Sequence, residues 1–355
     1  MPLTSSLMAT RQVETAQSTD APSASGRSLS SYAGAALFAP TRLLFRAMVR
    51  LGSTPLDDEI GNVEAVASPS DLGAAYRGKR AIVVGGTKSI GATIVTTLQS
   101  AGAQVTVVAR SAVATDTTDA FAADLSTVAG CEKLIDDIAA AGVAPWDYLV
   151  FTVGAWPDFS QPYTSDGVEK VVALDLLARH LVLDGLAAHG LLASGARVLN
   201  VLASAQHVPL QTEESVKARV EAKTPPATLP YALFPVGIAA DAWLQDAAAR
   251  HPSLTLVGMF PGIVASTQLP LCTFPSWMMP ALTAAMLPVA SSDADAGLAH
   301  ATVLASPNVA RKRVSYFNYM LEGRRAHELA YSPTLGAWIS AHLDGIAAAS
   351  TGAAR

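Results

Sequence analysis

From residue 80 onward, apolar runs of strand length alternate with helix-length segments, and this alternation narrows the available folds more than any other feature. Arg80–Val84, Gln104–Ala109, Tyr148–Val153, Arg197–Leu202 and Leu254–Phe260 read as strands. Between them Ala92–Ala101, Cys131–Ala141, Asp166–His189 and Val236–Arg250 carry helical patterns, the first two closing at Gly102 and Gly142. Strands alternating with helices of this size make right-handed βαβ units, so the expectation is a doubly wound α/β fold: a parallel sheet with helices on both faces. Ligands in such folds sit beyond the carboxyl ends of the strands, so the residues just after each strand carry the functional reading.

The first of those places is Gly85-Gly86-Thr87-Lys88-Ser89-Ile90-Gly91, between the first strand and the first helix. Glycines there let the backbone approach a pyrophosphate, and the helix N-terminus offers it free N–H groups and a positive dipole end. This is a Rossmann-like arrangement. Arg110-Ser111 ends the second strand, where an NAD-binding fold would place an acid for the adenosine ribose. A guanidinium there suits a 2′-phosphate, and Lys88 adds a second positive charge, so the pair favours NADP(H) over NAD(H). The plainer reading of both is a solvated surface charge.

Val84-Gly85-Gly86-Thr87-Lys88-Ser89-Ile90-Gly91 resembles the glycine signature of the short-chain dehydrogenase/reductase family. Further matches follow in order. Ala123-Asp124-Leu125 is similar to the family's adenine-contacting Asp after the third strand, and Gly154 closes the segment that the family writes Asn-Asn-Ala-Gly. Arg197–Ser204 resembles the strand that delivers a catalytic serine, and Pro261-Gly262-Ile263-Val264 the turn lining the nicotinamide pocket. The resemblance covers about residues 78–270. It implies a cofactor site of Gly85, Thr87, Lys88, Ser89, Ile90, Gly91, Arg110, Asp124, Gly154, Pro261, Gly262 and Val264. The Pro-rich loop after Thr267 and the tail Ala326–Ile346 are similar to a fungal branch tied to secondary metabolism.

The family transfers hydride between nicotinamide and a carbonyl or alcohol carbon, with a tyrosine exchanging the proton, a serine polarising the carbonyl and a lysine four residues after the tyrosine. Tyr231 falls thirty residues before Pro261, where the resemblance puts that tyrosine, but the lysine position is Pro235. The serine position is Ala203, with Ser204 one step late; the family's helix asparagine is Asp175; the middle loop glycine is Ser89; and Asn-Asn-Ala-Gly reads Phe151-Thr152-Val153-Gly154. The cofactor half of the signature is kept and the catalytic half eroded. A free tyrosine, pKa about 10, is almost wholly neutral at pH 7, which suits donating a proton to a carbonyl better than taking one from an alcohol. The expectation is an NADP(H)-dependent oxidoreductase reducing a carbonyl, with Tyr231 as proton donor and Ser204 beside it. The alternative is a fold that binds NADP(H) or another ligand without redox turnover, as a regulatory binder or a non-redox enzyme such as a cyclase. His207, Lys217 and Lys223, in a segment longer than the family's, are candidates to replace the lysine, against a plainer reading as solvated charges.

Composition bounds the partners. Half of the 355 residues are hydrophobic and 15% charged, with mean hydropathy +0.32, which excludes a disordered chain. A net charge of −5 gives no general attraction for nucleic acid. Cys131 and Cys272, with no CxxC, imply neither a disulfide framework nor a zinc site, and no metal is expected. Pro252–Ser292 contains no charged residue, yet Pro261, Pro270, Pro275, Pro280 and Pro288 break it, so no transmembrane span is expected. Its Leu269, Leu271, Phe274, Trp277, Met278 and Met279 make residues 268–290 a candidate substrate loop for a small apolar carbonyl or alcohol, or else an oligomer- or membrane-facing surface.

Residues 1–77 read as an N-terminal extension and 78–349 as the single Rossmann-like domain. Residues 1–30 are Ser/Ala/Thr-rich and expected to be disordered. Residues 32–51 offer an amphipathic helix, with Leu37, Leu44, Met48 and Leu51 against Arg42, Arg46 and Arg50, that packs on the body or touches a membrane surface. Five Arg and two acids in the first fifty residues resemble an organelle transit peptide; otherwise a cytoplasmic location is expected. The helices 166–189 and 236–250 are candidates for pairing in a homo-oligomer.

Overall fold

The computed structural model describes residues 43–202, 204, 208, 210–224, 226, 228–266, 276–278, 280–281 and 288–353. The strands are β1 (Arg80–Val84), β2 (Gln104–Ala109), β3 (Asp119–Ala122), β4 (Trp146–Phe151), β5 (Leu192–Val201), β6 (Thr255–Phe260), β7 (Val314–Asn318) and β8 (Gly323–Arg324). They form one sheet in the order β3-β2-β1-β4-β5-β6-β7-β8. Every pairing is parallel except β7 with β8. The order reverses between β1 and β4, so the crevice of a doubly wound sheet opens there.

The longer helices among the described residues are α1 (43–51), α2 (Ser89–Ser100), α3 (Val128–Ala140), α4, α5 (Glu213–Glu221), α6 (Leu229–Arg250), α7 (Asp293–Ala305) and α8 (Pro333–Ala353). Helix α4 runs as Lys170–Val172, a π-turn Ala173–Leu177 and Ala178–Ala188. The central strands are apolar on both faces because both are covered. Ile82, Leu149, Phe151, Val198 and Leu256 join α3, α4, α6 and α8 in one core. Val83, Val150, Leu199 and Val257 face the other way, into a core shared with α2 and α7.

The compact unit holding the sheet spans Thr41–Arg355, so it starts ahead of the boundary expected at residue 78. Ile60, Leu72 and Tyr76 are buried in the second core, and the Tyr76 hydroxyl donates to the Ala301 carbonyl at 2.6 Å. In α1, Arg50 pairs with Glu322 at 2.7 Å while Leu43, Leu44, Met48 and Leu51 stay exposed. Residues 43–51 of the expected helix thus meet the body through Arg50 and turn these apolar residues outward; residues 32–42 lie outside the described residues. No helix among the described residues is long and apolar enough to cross a membrane. Leu335, Ile339 and Leu343 of α8 are fully buried, and Gly336 lies so close to α6 that a Cβ there would sit 2.8 Å from the Ala242 carbonyl. The chain's own last helix therefore covers a face of α6 that was a candidate for pairing with another copy.

Candidate active site

The loop after β1 is built around close approaches that only glycine permits. Gly85 has φ +98°, and a Cβ on it would fall 2.5 Å from the Val153 nitrogen; one on Gly91 would fall 2.2 Å from the Gly85 carbonyl oxygen. Val84 accepts hydrogen bonds from the Thr152 and Val153 nitrogens, both at 2.9 Å, which locks the loop to the end of β4. Ser89, at the family's middle glycine, holds φ +49°, a strained value for a serine, and its hydroxyl bonds Ser266 at 3.0 Å. The cradle, the start of α2 and the crevice between β1 and β4 fit a dinucleotide pyrophosphate.

Arg110 and Lys88 are both exposed, and neither side chain enters an ion pair or hydrogen bond among the described residues. Asp124, after β3, is exposed and accepts from the Ser126 nitrogen at 3.1 Å. Arg110 and Asp124 thus lie beyond β2 and β3, on one side of the crevice, and Lys88 in the loop after β1. Gly154 follows β4 on the other side, and Pro261, Gly262 and Val264 follow β6. Thr87 is exposed, Ile90 partly buried and Val264 buried, the last bridging to Ser291.

Tyr231 lies in the first turn of α6, is 43% exposed, and its hydroxyl makes no hydrogen bond among the described residues. Ser204, past the end of β5, is fully buried; its hydroxyl lies 3.0 Å from where a Cβ on Gly258 of β6 would stand. The topology brings both to the carboxyl end of the sheet, but no hydrogen bond joins them. Pro235 sits inside α6 and, lacking an N–H, supplies neither the lysine's charge nor the bond that the Tyr231 carbonyl would receive in a regular helix.

Two buried arginines at this end are residues that sequence reasoning missed. Arg179 of α4, 1% exposed, donates from Nη1 to Asn200 Oδ1 and to the Val201 carbonyl at 3.1 Å, and from Nη2 to the Val153 carbonyl. It thereby ties together the ends of β4 and β5. One turn earlier, Asp175 accepts from the Ala155 nitrogen at 3.2 Å and lies 3.9 Å from Arg179 Nη2. Burial pushes the Asp175 carboxyl up to about 7 against the pull of Arg179, and burial lowers Arg179 to about 10. Both belong to or follow the π-turn of α4, an irregularity that often marks functional sites. Arg219 of α5, 2% exposed, pairs with buried Glu169 at 2.8 Å and donates from Nε to the Ala232 carbonyl at 3.1 Å, next to Tyr231. The segment before Tyr231 thus delivers Arg219 rather than the lysines singled out there. Lys217 pairs with Glu213 and lies over the Trp338 ring, and Lys223 is 80% exposed beside Glu221. Ala203 and His207 lie outside the described residues, as does most of loop 268–290; within it Trp277 is 78% exposed.

Away from this end, His180, Asp184 and Asp344 converge closely enough to be considered as metal ligands. His180 Nδ1, however, accepts from Trp243 Nε1 at 3.2 Å, which leaves the ring proton on Nε2 facing Asp344 at 2.7 Å. The cluster is a hydrogen-bonded strap between α4, α6 and α8.

A sequence model of the short chain dehydrogenase family matches residues 79–215. That span of the chain is similar to the short-chain dehydrogenase/reductase family. The matched span contains the glycine loop, Arg110, Asp124, Gly154, Asp175 and Ser204, and stops before Tyr231. No curated protein matches the chain. Among solved structures, a short chain dehydrogenase from Salmonella enterica serovar Typhi aligns with a TM-score of 0.50 at 16% identity, over 70% of this chain and 98% of that one. That likeness is one of fold. A short-chain dehydrogenase/reductase from Serratia marcescens aligns at 0.49, with 19% identity over 69% of this chain and 97% of its own. A short chain dehydrogenase from Burkholderia cenocepacia, solved in complex with NADP, gives the same four values.

Proposed function

We propose that this chain is a short-chain dehydrogenase/reductase that uses NADP(H) to reduce a carbonyl on an apolar small molecule. The observation that carries the reading is the glycine cradle at residues 85–91 combined with unengaged Arg110 and Lys88 on the adenosine side. Gly85, Thr87, Ser89, Ile90 and Gly91 would hold the pyrophosphate, Arg110 and Lys88 the 2′-phosphate, Asp124 the adenine, and Gly154, Pro261, Gly262 and Val264 the nicotinamide end. When bound, the cofactor supplies the hydride. The protein's part is to orient the carbonyl and to give a proton.

Tyr231 is assigned the proton transfer. An ordinary tyrosine is a neutral phenol at pH 7, and the family's lysine is what would make it a base. With Pro235 in that place, Tyr231 is suited to donating its proton to the developing alkoxide, with Ser204 as its partner. The charge-free sequence of loop 268–290 and the exposed Trp277 support an apolar substrate. NADPH oxidation in the presence of apolar ketones and aldehydes tests the assignment. Tyr231→Phe is expected to lower turnover at least ~100-fold with NADPH affinity kept; undiminished turnover contradicts it.

The second reading is a protein that binds the nucleotide without turning it over. It is favoured by the burial of Ser204 against β6 and by Asp175 at the family's asparagine position. Tight NADPH binding with no oxidation across a broad carbonyl series would select it.

A further inference from the structure

Asp175 is a buried carboxyl that the reading above does not use. Its side chain is 4% exposed, in a helix whose neighbouring residues at 171–174 and 176–178 are apolar. Oδ1 stands against Gly154, where a Cβ would be 2.5 Å away, at the mouth of the crevice just past β4. Arg179 spends its hydrogen bonds on neutral acceptors, Asn200 and the Val153 and Val201 carbonyls, and at 3.9 Å it acts on Asp175 only through its charge. The other charges that bear on Asp175 are Glu169 and Arg219, which are paired with each other and so oppose one another. The carboxyl is consequently left balanced between its neutral and ionised forms near neutrality, with burial as the largest cause.

Its position gives that balance a use. A doubly wound site binds a dinucleotide in two halves across the switch point. Arg110 and Asp124 lie beyond β2 and β3, so the nicotinamide half belongs on the β4 and β5 side, where Asp175 stands. The ring is neutral when reduced and positively charged when oxidised. We propose that Asp175 senses the redox state of the bound nicotinamide, holding its proton beside the reduced ring and releasing it beside the oxidised ring. The inference rests on the cofactor reading. When the oxidised form binds, the Asp175 O–H bond breaks, its electron pair stays on the carboxylate, and the proton passes to solvent. No redox change at the protein is involved. The carboxylate then favours the cationic ring, so oxidised cofactor binds relatively better as pH rises.

Isothermal titration of the full chain with NADP+ and with NADPH, each in two buffers of different ionisation enthalpy at pH 7, counts the protons released. The 2′-phosphate is common to both nucleotides, so its contribution cancels in their difference. The expected difference is about half a proton, since a group titrating near 7 is half protonated there. The NADPH-to-NADP+ ratio of dissociation constants is expected to rise about five- to tenfold from pH 6 to pH 8. Asp175→Asn should abolish both effects while still binding each nucleotide, whereas Arg179→Lys should keep them. As a measurement on the unmutated chain, the carboxyl 13C titration of Asp175 should move to lower pH with NADP+ and not with NADPH. Equal proton release for the two nucleotides, or a difference that survives in Asp175→Asn, overturns the proposal. Failure of both nucleotides to bind overturns the cofactor reading and the inference with it, a result distinct from binding without proton linkage.

Discussion

Ser89 holds a left-handed backbone angle in the middle of the glycine loop and bonds Ser266 across it. A non-glycine residue there costs about 1–2 kcal/mol, which the hydroxyl bond offsets in part. Ser89→Ala loses the bond and keeps the strain, while Ser89→Gly loses both. Urea unfolding should therefore find the glycine variant more stable than the alanine variant by about 1 kcal/mol. His300 gives a pH signature. It is fully buried, its Nδ1 donates to the Ala296 carbonyl at 2.6 Å, and burial lowers it to about 4. The unfolded imidazole, near 6.5, takes up a proton that the folded one refuses. Its contribution is thus complete above pH 6.5 and is lost as pH falls towards 4, by up to about 3 kcal/mol. Stability measured across pH 4–7 should decline less steeply towards acid in His300→Gln. At this scale the sequence displays the loop and the gap at Pro235. Asp175 stands out there at the family's asparagine position, whereas Arg179 is missed, although a second charge one turn on in an apolar helix is a signal for it. Arg219 gives no such signal, because its partner Glu169 lies 50 residues away and only tertiary packing joins them.

The long elements were readable because their periodicity is strong, and the short ones were not. β3 has four residues and β8 two, too few to show an alternation, and β7 is a five-residue run after a region without a helix-strand rhythm. Asp166–His189 reads as one helix, but Ala173–Leu177 winds as a π-turn, a one-residue irregularity that periodicity does not encode. Helix α8 shows what tertiary placement adds. Its apolar residues could serve a partner chain, yet Leu335, Ile339 and Leu343 are buried in the chain's own core. Ile339→Ala should lower stability by about 2–5 kcal/mol in denaturant unfolding, the usual cost of a large-to-small change in a packed core. A surface helix would lose far less.

At the scale of the whole molecule, the alternation from residue 80 settles a doubly wound sheet, and the sheet order fixes where a ligand belongs. Which ligand depends on the two sides of the crevice. The glycine cradle suits any dinucleotide; in the proposed reading Arg110 and Lys88 would select a 2′-phosphate. Residues 53–77 show the limit of reading domains from composition, because Ile60, Leu72 and Tyr76 enter the core through contacts with α7 and the β7–β8 edge that lie more than 200 residues away. Titrating NADPH and NADH into the chain and into Arg110→Ala tests the NADP(H) site proposed around Arg110. Arg110 is exposed and unengaged, so its removal leaves the fold intact. NADPH is expected to bind at least ~10-fold tighter than NADH, and Arg110→Ala to lose most of this preference with NADH binding unchanged. Equal affinity for the two nucleotides, or binding of neither, would contradict the proposed site.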